Sequence, residues 1–347
     1  MSRVAASIDG ESLITGDLVR RSRAPEEIRS QDSVELREAL AQLLVVLELA
    51  RSGFLDEGRT SEIVARLAGE LHMLRRNSIA AIWQTLIAAA QAHPVMEFLK
   101  QDPLTNWSFT KPRGYSGDAG LLDIYYKHPS MDHLLTGCTD LGREIYDYTS
   151  DVPACAAGRE RCEILARFVD ETAERTEGPA EILAVAAGHL REAGICHGLS
   201  AGRIRRWVAL DQDPISIGTM TRDLGGTVVS PMNGSVLGLL RRSYKLGTFD
   251  LVYASGLYDY LQEKTAVKLL QRLVDMLRPG GMVLFANFSD EITSDGYMET
   301  FMDWPLILRS ANDMWRIIDA SVDRNVYETE VWYGENRNIV YGTLRKK

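Results

Sequence analysis

The positions best placed to do chemistry are an apolar run at residues 182–187 with small side chains at Ala186, Ala187 and Gly188, and a second apolar run at 207–210 that ends in Asp211. Short continuous apolar runs predict strands buried on both faces. Roughly twenty residues separate turn from carboxylate, the length of one crossover unit, which brings both to the same edge of a parallel sheet. There a nucleoside can approach the main chain at Ala187 and Gly188. Asp211 can accept hydrogen bonds from both ribose hydroxyls, and Gln212 can lie along the adenine. A pyrophosphate nests against several backbone N–H groups and calls for more glycines than Gly188 alone, so an uncharged adenosine fits the turn better than a dinucleotide.

The elements that must position these residues alternate in type. A strand at 227–230 leads into Asn233, Gly234 and Ser235, which can meet an adenine edge. A strand at 248–254 leads into Ser255-Gly256-Leu257-Tyr258-Asp259-Tyr260 and a helix over 262–277. Arg278-Pro279-Gly280-Gly281 breaks that helix, and residues 282–286 form the next buried strand, continuing to Asn287 and Phe288. Runs at 326–333 and 338–344 around Gly334-Glu335-Asn336-Arg337 read as a terminal hairpin. The N-terminal part has another texture: a polar start with Pro25, then helices over 33–52, 60–75 and 77–93, the last stopped by Pro94. Leu36, Leu40, Leu43, Leu44 and Leu47 fall on one side of the first, for core packing or for a homodimer surface. The boundary is placed at Ser150-Asp151-Val152-Pro153, giving a helical domain and lid at 1–150 and a sheet domain at 151–347.

Alternating strands and helices closed by an antiparallel hairpin resemble, over residues 160–347, the class I S-adenosylmethionine (SAM)-dependent methyltransferases. The blocks KPRGYSGDAGLLDIYY at 111–126, AAGHLREA at 186–193, ASGLYDYL at 254–261 and NFSD…METFMDWPLILR at 287–309 are similar to a narrower bacterial group, over about residues 95–347. That group is commonly described as making the methyl ester of 3-hydroxypalmitic acid. The family's first motif carries an acid and three spaced glycines, whereas here those positions hold Ala184, Ala186, Gly188 and Leu190. The resemblance implies an α/β, Rossmann-like seven-stranded sheet with an N-terminal helical domain, SAM as cofactor, and methyl transfer to a small-molecule carboxylate or hydroxyl oxygen. It implies a loop at 111–118 over the ligand, with Arg113 pairing to its carboxylate and Tyr115 facing the sulfonium; Ser255 would also touch the cofactor.

Methyl transfer is an in-line displacement in which the protein mainly orients the reactants and excludes water. A carboxylate acceptor needs no base, and Arg309 could then clamp it; a hydroxyl or amine needs one, for which His189, Asp259 or a tyrosine are candidates. Tyr115, His189 and Asn287 are the catalytic candidates, and Tyr258, Trp304 and Arg309 the substrate-binding ones. Two alternatives stay open: intramolecular cyclisation of SAM to azetidine-2-carboxylate with release of methylthioadenosine, and non-catalytic SAM binding.

A chain of 347 residues has room for two cores, and a net charge of −9 argues against a nucleic-acid partner. Cys138, Cys155, Cys162 and Cys196 lack paired metal spacing and the density of a disulfide scaffold, which fits a reducing cytoplasm. The acidic and basic residues of the first thirty positions do not read as a signal peptide, and no apolar run is long enough for a membrane span.

Overall fold

The computed structural model describes residues 14–22 and 32–347, so the polar opening segment with Pro25 lies mostly outside the described residues. Seven strands form one sheet: β1 (Ala180–Val185), β2 (Ile204–Asp211), β3 (Val229–Asn233), β4 (Phe249–Ala254), β5 (Leu277–Phe288), β6 (Tyr327–Tyr333) and β7 (Ile339–Lys346). Their order is β3-β2-β1-β4-β5-β7-β6, with β1 to β5 parallel and β7 antiparallel between β5 and β6. This is the Rossmann-like α/β arrangement expected from the alternating pattern. Every residue of β1 and β4 is buried, as strands covered on both faces require, whereas β6 at the sheet edge alternates half-buried with exposed positions over 327–330 and is half-buried from Val331 to Tyr333. The chain winds from β1 towards β3 and then resumes on the other side of β1 with β4. That reversal opens a crevice between the carboxyl ends of β1 and β4.

Among the boundaries that differ from the sequence reading, three have a local reason. β1 stops at Val185 because Ala186 turns into the left-handed region, with φ of 54°. β3 extends to Asn233, which pairs with Asp211. β5 begins at Leu277 and absorbs Arg278-Pro279-Gly280-Gly281: Leu277 pairs with Phe249, the register slips, and Arg278 is held by Glu181 at 2.6 Å and Asp250 at 2.7 Å.

Two compact units divide the chain. The sheet unit holds residues 157–291 and 307–347, together with Ile14 among the described residues of its first segment. The helical unit holds residues 15–156 and 292–306. In the latter, the helix Asp32–Leu55 buries Leu43, Leu47, Ala50 and Phe54, which recur at three- and four-residue spacing. Leu44 departs from the expected stripe: it is 49% exposed, because it lies about 100° around the helix from Leu43. Residues 292–306 are fastened inside this unit by ion pairs. Asp295 meets His72 at 2.6 Å and Arg75 at 2.7 Å, and Glu299 meets Arg75 at 2.8 Å and the Trp83 indole N–H at 2.7 Å. Buried carboxylates are tolerated only with such partners. Among the described residues, no helix is long and apolar enough to cross a membrane.

Candidate functional site

The turn after β1 is built from backbone geometry rather than from glycine. Ala186, Gly188 and Leu190 all adopt left-handed φ, at 54°, 57° and 52°. A non-glycine residue there costs roughly 1–3 kcal/mol, so neighbouring contacts must impose it. They do: the N–H of Ala187 donates to Leu210 O at 3.1 Å, that of Gly188 to Asp211 Oδ2 at 2.7 Å, and that of Leu190 to Ala187 O at 3.0 Å, while the Leu190 side chain is buried. Asp211 Oδ1 accepts from the Asp213 N–H at 2.8 Å, and Asp211 O from the Gly234 N–H at 2.9 Å. The ends of β1, β2 and β3 are thus tied through one residue, Asp211, by its carboxylate and its backbone carbonyl. Ala186 is exposed, and Ala187 and Gly188 are half-buried, which leaves main chain accessible to a flat ligand.

The neighbouring candidates take different roles. Gln212 is half-buried beside Asp211, and Asn233 is exposed. Ser235 caps the helix Val236–Leu240 by accepting from the Gly238 N–H at 3.1 Å, so its hydroxyl serves local structure. Ser255 contributes its carbonyl, which accepts from Arg161 Nη1 at 3.0 Å. His189 is buried, with Nδ1 3.4 Å from Arg191 Nη2, and Arg191 Nη1 pairs with Asp223 at 3.0 Å.

Past β4 and β5, a second cluster is pinned together. Arg309 Nη1 donates to Tyr258 O at 2.6 Å and also to Asn287 Oδ1, and Nη2 donates to Leu261 O. Asn287 in turn donates to Phe288 O and Ile307 O, each at 2.8 Å. These are the contacts of a brace on the strand end, whereas the sequence reading had Arg309 clamping an acceptor carboxylate and Asn287 in the chemistry. Tyr258 is wholly buried against Phe285, with ring centroids 4.7 Å apart.

Beside the brace lies Asp259, buried, with Oδ1 accepting from the Phe288 N–H at 2.6 Å. Burial pushes its carboxyl up from 3.8 to about 7, against the pull of Arg161, the Phe288 N–H and Arg309. Between about pH 4 and pH 7 the unfolded chain has released this proton and the folded chain has kept it, so the residue makes stability fall as pH rises through that window and level off above it. Urea midpoints of wild type and Asp259→Asn across about pH 4–8 check the sign; an identical slope in both proteins would detach it from Asp259.

Sequence reasoning gave no site role to Arg161, Glu192 or Tyr253. Arg161, from the helix Pro153–Arg175, is 3% exposed and also approaches the Phe288 ring at 5.7 Å. Glu192 accepts from the Tyr253 hydroxyl at 2.6 Å, and burial raises the pKa of both groups. The available signal was an arginine, a glutamate and a tyrosine at positions otherwise reading as core.

Arg113, Tyr115 and Trp304 belong to the helical unit. Arg113 Nε stands 3.7 Å from Asp118 Oδ1, and Asp118 accepts from the Trp107 indole at 3.1 Å and caps the helix Ala119–Tyr125 through the Leu121 N–H at 2.9 Å. Tyr115 is half-buried, and Trp304 is buried with its backbone N–H on Met298 O at 2.9 Å.

No protein-family model matches the chain, and no curated protein matches it. Among solved structures it is similar to a possible exported protein from Bordetella parapertussis at 16% identity and a TM-score of 0.51, with 89% of this chain and 96% of that chain covered. The shared fold therefore extends over most of both chains. Lower-scoring similarities are to the N-methyltransferase NodS from Bradyrhizobium japonicum WM9 in complex with S-adenosylhomocysteine, at 18% identity, 65% and 99% coverage and a TM-score of 0.40, and to a SAM-dependent methyltransferase from Leishmania major, at 15% identity, 72% and 89% coverage and a TM-score of 0.41.

Proposed function

We propose that this chain binds SAM at the carboxyl edge of its sheet and methylates a hydroxyl oxygen of a small-molecule acceptor. The observation that carries the reading is the turn at 186–190, left-handed at Ala186, Gly188 and Leu190 and locked to the carboxylate ending β2 by the Gly188 N–H. That arrangement fits an adenosine. Small residues let the nucleoside reach the main chain, and a carboxylate oriented by two backbone N–H groups is preorganised to receive ribose hydroxyls. The bound cofactor would supply an electrophilic methyl group, leaving the protein to orient the acceptor and manage its proton.

A hydroxyl is favoured over a carboxylate by the residues past β4 and β5. Arg309 donates to carbonyls and to Asn287, and burial pushes the carboxyl of Asp259 beside it up to about 7. A group balanced near neutral pH is suited to take a hydroxyl proton as the oxygen attacks.

The test is incubation with SAM, alone and with a panel of hydroxyl and carboxylate acceptors, followed by mass spectrometry. S-adenosylhomocysteine whose appearance depends on a hydroxyl acceptor is the expected product. Methylthioadenosine formed without any acceptor would assign cyclisation of SAM in its place. Neither product, with no binding of SAM, would remove the reading altogether.

A further inference from the structure

We infer that Glu192, held by Tyr253 two residues past the 186–190 turn, makes the site prefer SAM, with its net positive methionyl end, over the net neutral S-adenosylhomocysteine. The inference rests on the SAM reading and adds a specificity residue that methyl transfer itself does not require. Glu192 follows Leu190 by two residues and is 6% exposed. Its Oε1 accepts from the hydroxyl of Tyr253, the penultimate residue of β4, which lies in register with Ala184 of β1. Registered neighbours project to the same face of a sheet. A carboxylate is therefore fixed at the β1–β4 reversal, on the face where Ala184 is the last side chain of β1.

Burial raises the pKa of that carboxyl, so a nearby positive charge is what favours its ionised form. The groups acting around it are Tyr253 from β4, and Arg161 and Cys162 from the helix Pro153–Arg175. Arg161 acts on Asp259 as well. Asp259 has Arg309 as a second cation, whereas a ligand that brings a positive charge to Glu192 adds to Arg161 and favours the ionised carboxylate. The methionyl end of SAM carries a carboxylate, an ammonium and a sulfonium, net +1; loss of the methyl group removes the sulfonium charge. A fixed carboxylate attracts the first and is nearly indifferent to the second, which also favours release of the spent cofactor.

Calorimetric titration of the full chain with SAM and with S-adenosylhomocysteine tests this. Glu192→Gln keeps the shape and removes the charge; it is expected to weaken SAM about tenfold while changing S-adenosylhomocysteine by less than about twofold. Tyr253→Phe, which leaves Glu192 in place but unsupported, should move the ratio the same way by about threefold, and it carries the test if Glu192→Gln does not fold by circular dichroism. Equal losses for the two ligands, or an unchanged ratio in the folded variants, would overturn the role of Glu192 and leave the SAM reading standing. Wild-type protein that binds neither ligand would instead overturn both.

Discussion

Replacing Asp211 with asparagine is expected to weaken SAM and S-adenosylhomocysteine together by about a hundredfold, some 2.7 kcal/mol. In the wild type both carboxylate oxygens accept backbone N–H groups, Oδ2 from Gly188 and Oδ1 from Asp213. An amide offers one oxygen and one NH2 group, so whichever way the new side chain turns, one backbone donor faces another donor. Leaving a buried donor unsatisfied costs about 1–3 kcal/mol. The turn has little reserve against that loss, because Ala186 and Leu190 are already held in a region that non-glycine residues disfavour. It would relax, and the surface offered to the adenosine would relax with it. Both ligands share that adenosine, so the two affinities should fall in parallel, in contrast to the selective effect at Glu192. Calorimetry on protein shown to be folded checks this, and unchanged affinity for both ligands would take Asp211 out of the ligand site.

What the sequence disclosed here was local, and what it concealed was assembled by tertiary contacts. The strand, turn and carboxylate over residues 181–211 were legible because apolar runs, small side chains and a crossover-length spacing all lie in one short stretch. The left-handed backbone at Ala186 and Leu190 was not, since neither is glycine; hydrogen bonds from 187 and 188 to β2 impose it. Arg309 was recognised as a cation that could point inward, but its acceptors at 258, 261 and 287 exist only once β4, β5 and the returning chain at 307–309 are side by side. Arg161, Glu192, Tyr253 and Asp259 span almost a hundred residues of sequence, so no periodicity joins them. The start of β5 at Leu277 was hidden for a related reason: the Pro-Gly-Gly run reads as a stop until Glu181 and Asp250 are there to hold Arg278.

The brace at Arg309 carries the largest expected loss of stability. Arg309→Met retains much of the side chain's length and apolar stem while removing every donor, and it is expected to lower the unfolding free energy by about 3–5 kcal/mol. Three acceptors would lose a donor: the carbonyl oxygens of Tyr258, which keeps the Leu261 N–H at 3.1 Å, and of Leu261, and Asn287 Oδ1. Asn287 would keep its own donations to Phe288 O and Ile307 O, so the damage should start in the segment at 258–261 and not in β5 itself. Asp259 sits in that segment and would lose one of the cations that pull its carboxyl down, so its proton affinity should rise further and any proton transfer from an acceptor hydroxyl should slow. Arg309→Lys restores a charge and a point donor but cannot span separate acceptors with a rigid fork, so an intermediate loss is expected. Urea unfolding compares the three proteins, with the m-value checked for constancy so that the midpoint reports stability. If Arg309→Met lies within about 0.5 kcal/mol of wild type, the guanidinium is not a brace, and its availability to a carboxylate acceptor is open again.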